Sequence, residues 1–561
     1  MKKMMEGPIM VQGDLSLLLE VAHPLFIEAR EAIALFAELV KSPEILHTYR
    51  MTPLTLWNAA ALGFNGDTLI TILEKYARFP VPSRVKKEIL ETVEKYGKLR
   101  LTKENGELYL ECGEPSLLDQ LLQYTSVSSI LGKVKSSGKI RVPFSQRGPI
   151  KQTLLKLGYP VHDLAGFAGG EKLPISYKSD GHFSIRPYQK DSVDSFFSDG
   201  GMQGGNGVIV LPCGSGKTIV GIETMVRLGM ETLILTGNNS SVSQWKGEIL
   251  SFTSLNEKQV GIYTGRSKKA GPVTITTYQM LTYCNREKDY PHLDLFHRRN
   301  WGLIIYDEVH LLPAPVFRLT ADLQAKRRLG LTATLIREDG REGDVFSLIG
   351  PKKFELPWRI LEEKGYIAGA NCREIRIPMS GDRLNKYLQS PERLKFRIAS
   401  ENPEKIQVIH QLLDKHEQEQ ILIIGQYLSQ LEYLSNELNI PLITGRTSQQ
   451  EREKLYYQFR KGEVHALIVS KVANYAVNLP DASVAIQVSG TYGSRQEEAQ
   501  RLGRILRPKE KDNQAYFYTL VSEHSNEEVY ARRRQMFLVE QGYSYEIDQY
   551  SFNEERRKTN V

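Results

Sequence analysis

The stretch "LPCGSGKT", Leu211 to Thr218, sets glycines, a lysine and a hydroxyl residue where an apolar run, "GVIV", gives way to the helix-like "IVGIETMVRL". Glycines let backbone N–H groups close around phosphate oxygens, so Gly214, Ser215 and Gly216 are expected to cradle a nucleotide. Lys217 would reach the β and γ phosphates, and Thr218 would ligate magnesium. The strict spacing asks for glycine at position 211 and finds Leu211, so the strand-to-helix context carries much of the assignment. Downstream, "GLIIYDEVH" ends an apolar strand in Asp307 and Glu308, at the carboxyl end where open α/β sheets bind ligands. Asp307 is expected to hold the magnesium ion and Glu308 to orient the attacking water. In "SIRPYQKDSV", the amide of Gln189, near Arg186, matches the N6/N7 edge of adenine. Finally, "QEEAQRLGRILRP" carries Gln500, Arg501, Arg504 and Arg507 on closely spaced helical turns. These read either as groups that reach a γ-phosphate across a cleft or as an ordinary basic helix face.

The elements that must position these residues follow from hydrophobic rhythm. From Ile185 onward, "NGVIVLPCG", "ETLILTG", "VTITTYQ", "GLIIYDE" and "RLGLTAT" alternate with helical stretches. After "PWRILEEKGYIAG" the rhythm restarts with "QILIIGQ", "PLITG", "HALIVSK", "VAIQVSG" and "AYFYTLV". Two α/β domains in series, each with a parallel sheet and crossover helices, are therefore expected. Upstream, Ala29, Ala32, Ile33, Phe36, Leu39 and Val40 recur at helical spacing, and "PLTLWNAAALGF", "DTLITILEKYARF" and "SRVKKEILETVEKYG" read as three further helices. "KLRLTKENGELYLE" has the Asn105-Gly106 signal of a type I′ hairpin. Helices followed by a hairpin suggest a winged-helix-like unit that serves either nucleic acid or a protein partner. A mixed segment follows, rich in Lys133, Lys135, Lys139, Arg141, Arg147, Lys151 and Lys156, which reads as a DNA-facing surface or a merely solvated face.

The expected boundaries are residues 1–113 for the helical and winged-helix-like region, 114–180 for a small mixed α/β domain, and 181–365 and 366–545 for the two parallel-sheet domains, with a charged tail at 546–561. With 561 residues, 41% hydrophobic and 25% charged, the chain has the composition of a globular protein of several domains. A net charge of +7 is compatible with an anionic polymer partner without requiring one. Cys112, Cys213, Cys284 and Cys372 lie far apart with no CxxC pair, which argues against a zinc or iron–sulfur ligand set and for a reducing compartment. No stretch of about 20 apolar residues occurs, so a cytoplasmic location away from membranes is expected.

"LPCGSGKT", "YDEVH", "LTAT" and "QRLGRILR", in that order, resemble a superfamily 2 helicase on tandem RecA-like domains. "LTATLIREDGRE" narrows the resemblance to the xeroderma pigmentosum group B (XPB) helicases, and "LIGPKKFELPWRILEEKGYIA", "TGRTSQQERE", "GSRQEEAQRLGRILRPK" and "RRRQMFLVEQGYSY" extend it from about Ile185 to Tyr545. The resemblance implies an ATP- and Mg2+-dependent 3′→5′ DNA helicase linked to nucleotide excision repair, with His310 joining Lys217, Asp307, Glu308, Gln500, Arg504 and Arg507 as catalytic residues. It implies that Arg337, Glu338 and Asp339 separate strands at the DNA junction, the alternative being an ion-pair latch between domains. A small basic thumb would fall near residues 380–400, with Arg393 and Lys395 touching phosphates, and Thr276, Thr447 and Ser448 are the further DNA contacts it implies. Residues 114–180 occupy the place of the family's damage-recognition-like domain. The implied partners are DNA, as single-strand/duplex junctions or damaged duplex, and a companion repair nuclease; a monomer suits a helicase complete within one chain. Departures fall at "LTGNNSSVSQW", where the family has a Cys-Pro-Thr-like strand end, and at Asn474 and Asn478, which replace acidic residues and lose their charge. Two other readings remain: a duplex translocase or ATP-gated DNA-opening clamp, and a damage-binding module in which ATP only toggles conformation.

Overall fold

The computed structural model describes the chain except for residues 1–6, 42–44, 132–133, 137, 144–145, 165–169, 179–183, 198–204, 213, 284–290, 293–294, 296–298, 312–326, 334–341, 471–481, 491–500, 504, 506–512, 541–542, 544 and 551–561. It falls into two compact units, Met1–Leu211 with Gly216–Glu355, and Leu356–Val561 with Pro212–Ser215. Among the described residues no helix is long and apolar enough to cross a membrane.

The first unit opens with an antiparallel sheet of β1 (Ile9–Val11), β2 (Ser16–Glu20), β3 (Glu38–Lys41) and β4 (Leu46–Arg50), in the order β1-β2-β4-β3. One helix over Ala29 to Val40 is not what forms. The helix stops at Ile33, and Leu39 pairs with Tyr49 across the β3/β4 ladder, beside a register shift at Val40. Ile33, Phe36 and Leu39 are buried all the same, because helix, turn and strand share one core, so helical spacing alone misses the turn. Helices Pro53–Ala61, Gly66–Tyr76 and Ser83–Glu94 follow as read, the first closed by a Thr52/Thr55 capping box with Pro53 in its first turn.

Asn105 and Gly106 take the positive φ values (48° and 85°) of a type I′ turn between β5 (Leu99–Glu104) and β6 (Glu107–Cys112). This hairpin is not a wing. It is the centre of a five-stranded sheet with β7 (Val134–Ser136), β8 (Lys139–Val142) and β9 (Val161–Asp163), ordered β7-β8-β6-β5-β9. One core joins Leu99, Leu101, Leu108 and Leu110 to Leu118, Ile140 and Leu154, so the boundary expected at 113/114 cuts through a sheet.

β10 (Asn206–Val210), β11 (Thr232–Thr236), β12 (Val260–Tyr263), β13 (Val273–Thr277), β14 (Leu303–Asp307), β15 (Arg327–Thr332) and β16 (Lys352–Glu355) form an all-parallel sheet ordered β12-β13-β11-β14-β15-β10-β16. Leu303, Ile304 and Ile305 are fully buried, as a strand covered on both faces requires. The second unit repeats the plan with β17 (Gly369–Ile377), β18 (Ile421–Gly425), β19 (Leu442–Ile443), β20 (Ala466–Ser470), β21 (Val484–Gln487), β22 (Gln514–Ser522) and β23 (Tyr545–Gln549), ordered β19-β20-β18-β21-β22-β17-β23. Two tandem RecA-like domains of the α/β class result. The first ends after β16 rather than at 365, because Trp358 and Glu362 pack with the second unit, where Glu362 engages Tyr543. Nor does a tail begin at 546, since Glu546 to Gln549 lie in β23 against β17.

Candidate functional site

Gly214 and Gly216 sit at φ +79° and +81°, left-handed conformations that suit glycine, and Gly216 opens helix Lys217–Leu228 without a side-chain cap. Uncapped N–H groups and the positive end of the helix dipole then face whatever anion the loop holds. A Cβ at Gly216 would come within 2.6 Å of the Gln189 amide nitrogen. Buried Gln189 therefore packs on the phosphate loop itself, its Oε1 accepting a 2.9 Å hydrogen bond from the Arg186 backbone N–H. Ser215 is turned inward, donating to the Pro212 carbonyl at 2.6 Å, while Lys217 and Thr218 are half-buried at the helix start.

Asp307 and Glu308 end β14. Successive residues of an extended strand point to opposite faces, but Glu308 adopts φ +49°, and its Oε1 lies 3.5 Å from the Lys217 ammonium. Its Oε2 is buried and accepts no hydrogen bond, with His310 Nδ1 3.5 Å away. His310 is buried and shares a 2.7 Å hydrogen bond with Thr332 Oγ1, which ties the acidic pair to the end of β15. Burial raises the Asp307 carboxyl to about 6, helped by the Glu308 charge and opposed by Trp245 and Lys217. For Glu308 burial also pushes upward, but Lys217 and His310 outweigh it and hold the carboxyl below its usual value. Glu308 thus stays an ionised acceptor, as activation of a water needs.

Two positioning groups escape a reading of motifs. Trp245 Nε1 donates to Asp307 Oδ2 at 2.9 Å, and the Tyr278 hydroxyl donates to the Asp307 carbonyl at 2.8 Å. The Trp245 ring also fills the space where a Cβ on Gly221 would stand, so it braces both the phosphate-loop helix and the acidic strand end. Its signal in the sequence was a tryptophan on a helix otherwise facing the core, since a buried indole N–H needs an acceptor.

The other expected contacts fare unevenly. Thr276 is fully buried in β13 and offers no surface to DNA, because a central parallel strand is covered on both faces. The Thr447 hydroxyl accepts from the Thr444 N–H at 2.9 Å, and the exposed Ser448 caps helix Gln449–Arg460 by accepting from the Glu451 N–H. Asn238, at the departure from the family pattern, caps helix Asn239–Phe252. In the second unit, helices Gly381–Gln389 and Glu392–Ser400 form a hairpin locked by Arg383, which donates to the carbonyls of Ile398 and Glu401. There Arg393 is exposed, whereas Lys395 pairs with Glu392 at 3.1 Å and lies 5.7 Å over the Tyr387 ring. Arg501 is buried and donates to Gln487 Oε1 at 2.6 Å, an inward role. Gln500, Arg504, Arg507, Arg337, Glu338, Asp339, Asn474 and Asn478 lie outside the described residues.

Of the basic run upstream, Arg147 and Lys151 are buried against Asp163, and Lys139 is paired with Glu104 and Glu111. Arg141, 2.9 Å from Glu107, and Lys156 are exposed, while Lys133 and the Lys135 side chain lie outside the described residues.

A family model described as the ERCC3/RAD25/XPB C-terminal helicase matches residues 361–560, one described as helicase conserved C-terminal domain matches 9–135, and one for the type III restriction enzyme res subunit matches 182–337. The chain is 50% identical over 97% of its length to a protein of Kineococcus radiotolerans named DNA 3′-5′ helicase XPB, of which it covers 97%. A Mycobacterium tuberculosis protein of the same name is 51% identical, with 97% of this chain and 98% of that one covered. The chain belongs to the XPB family. A more distant XPB relative, from Encephalitozoon cuniculi, is named general transcription and DNA repair factor IIH helicase/translocase subunit XPB; it is 34% identical, with 96% of this chain and 82% of that one covered. XPB membership therefore spans the upstream sheets as well as both parallel-sheet domains.

Proposed function

We propose that this chain is an ATP-dependent DNA helicase of 3′→5′ polarity that opens DNA in nucleotide excision repair. The observation that carries the reading is the convergence of Lys217, Glu308 and His310 within 3.5 Å contacts beside two left-handed loop glycines. Magnesium, when bound, neutralises phosphate charge; Thr218 and Asp307 are the residues that would hold it, with Trp245 fixing one Asp307 oxygen. The donor set fits such an ion, because hydroxyl and carboxylate oxygens are what a hard cation takes. Lys217 binds the terminal phosphates, Gln189 meets the base from beside the loop, and Glu308 orients the attacking water with its ionised carboxylate. By family resemblance, Arg504 and Arg507 would supply positive charge to the γ-phosphate in the transition state, with Gln500 as a further catalytic residue. The names of the bacterial relatives support the polarity, and that of the Encephalitozoon cuniculi relative supports the repair setting.

His310 and Thr332 suggest how hydrolysis reaches DNA. Thr332 ends β15, and Arg337, Glu338 and Asp339 follow five to seven residues later in the sequence, so the His310–Thr332 hydrogen bond is the contact through which a change at Glu308 would reach the segment that leads to the strand-separating block. A guanidinium there can stack on an exposed base while neighbouring carboxylates repel phosphates. The helicase/translocase wording of the Encephalitozoon cuniculi relative's name favours, as second reading, a duplex translocase that opens DNA with little processive unwinding.

Lys217→Ala and Glu308→Gln test the site. Each is expected to cut DNA-stimulated ATP turnover by about 10²-fold or more while DNA affinity stays near wild type. Retained turnover in either variant would overturn the assignment.

A further inference from the structure

We infer that Arg393 and Arg533 together form a phosphate-binding pair that joins the thumb hairpin to the C-terminal helix, Asn526–Glu540, and fits the backbone of a nucleic acid. The register of two helices carries the inference. Ser400 Oγ donates to Glu527 Oε1 at 3.0 Å, and one turn away the Phe396 and Tyr530 rings meet edge to face at 5.0 Å. Along helix Glu392–Ser400 the numbering falls as it rises along the C-terminal helix, so the two run antiparallel, and the next turn brings position 393 opposite 533 and 534. Of those, Arg534 is buried near Gly490, whereas Arg533 is exposed, as is Arg393.

The base of this arrangement is rigid. Lys405 is buried against Glu527 at 3.0 Å and donates to the Val488 carbonyl at 2.8 Å, while Glu527 Oε2 accepts from the Ser522 N–H. Sliding the two helices past one another would break the Ser400–Glu527 hydrogen bond, made to a carboxylate that Lys405 of the following helix holds in place. Neither Arg393 nor Arg533 forms an ion pair with an acid among the described residues, although Arg533 lies 5.8 Å over the Tyr530 ring, whereas nearby cations are paired with acids: Lys395 with Glu392, Arg397 with Glu401, and Arg532 with Glu528. Two exposed guanidinium groups held on facing turns repel each other unless an anion lies between them, and bidentate phosphate recognition is what such forks do best. An acidic protein segment offers the same charge, but DNA as the ligand follows from the function proposed above, on which this inference rests. It also shifts the thumb's contact away from Lys395.

The test is the salt dependence of affinity for a tailed duplex, followed by fluorescence anisotropy for wild type, Arg393→Ala, Arg533→Ala, the double variant and Arg533→Lys. Each lost phosphate contact lowers the slope of log affinity against log salt by about 0.9, or about 3.5-fold in affinity over a fourfold rise in salt. Arg393→Ala and Arg533→Ala are each expected to lower the slope by about one and the double variant by about two, with Arg533→Lys close to wild type. An unchanged slope in Arg533→Ala, where wild type binds DNA, overturns this inference alone and leaves the pair to an acidic protein segment. A wild type with no DNA affinity overturns both this inference and the helicase reading.

Discussion

Glu308 pays for its place with backbone strain: a left-handed conformation in a non-glycine residue costs about 1–3 kcal/mol and persists where the surroundings over-determine it. Here Lys217 and His310 do so, drawing the carboxylate toward the phosphate loop when an extended strand would send it away from Asp307's side. Asp307 is fixed by a different route, through the indole of Trp245. Trp245→Phe keeps most of the apolar packing on Gly221 and removes only that donor. Since a hydrogen bond to a charged group contributes about 1.5–3 kcal/mol, ATP turnover is expected to fall about tenfold or more with little change in thermal midpoint. Unchanged turnover would reduce Trp245 to a packing residue. Lys217, Asp307 and Glu308 stood out in the sequence because phosphate chemistry, the role proposed for them, demands those residue types at fixed places, and the structure brings Lys217 and Glu308 together. Trp245 did not, because a tryptophan at helical spacing reads as core until its partner across 62 residues is known.

At the scale of elements, β15 is the strand that matters. Its end presents Thr332 to His310, and near its start Arg328 reaches toward Asp163 of β9 at 3.8 Å, where Arg147 and Lys151 also converge. All four side chains are buried, so the mixed sheet upstream is fastened to the RecA-like sheet by one carboxylate shared among three cations. Burial alone would push Asp163 upward, but the three cations hold it far below the usual carboxylate range; Lys151 is lowered to about 8 by burial, with Asp163 opposing. A depressed carboxyl contributes stability that is complete above the unfolded value near 4 and is lost as pH falls below it. Asp163→Asn is therefore expected to destabilise the chain by about 3–5 kcal/mol, a gap that narrows in more acidic solution as Asp163 is protonated and also toward about pH 8 as Lys151, without its counter-ion, sheds its proton. Thermal melts from acidic solution to about pH 8 check it, and a gap under about 1 kcal/mol at neutral pH would mean the cluster is not a fastening. Arg147 and Lys151 read as surface charges because their counter-ion lies on another element, 16 and 12 residues away respectively. For the same reason the hairpin read as a wing: its neighbours β8 and β9 come later in the chain, and only pairing reveals it as a sheet centre.

Across the whole molecule, the rhythm of short apolar strands announced both parallel sheets, because strands covered on two faces must be continuously apolar. Boundaries were less legible, since they depend on which sheet an element joins, as β23 and helix Trp358–Glu363 illustrate. The first unit carries helix Lys217–Leu228 and the acidic pair, whereas the second carries the helices Gly381–Gln389 and Glu392–Ser400 and the sequence positions of Arg504 and Arg507. An ATP-driven motor of this plan should use each turnover to move along one strand in one direction and part the duplex ahead of it. The direct test is strand displacement on labelled duplexes with a 3′ or a 5′ single-stranded tail, with ATP turnover followed in the same tubes, for wild type and for a variant with Arg337, Glu338 and Asp339 all replaced by alanine. Displacement from the 3′ tail only, lost in the triple variant while ATP turnover largely survives, is the expected result. Vigorous DNA-stimulated turnover with displacement from neither tail would contradict the helicase reading and point to a translocase.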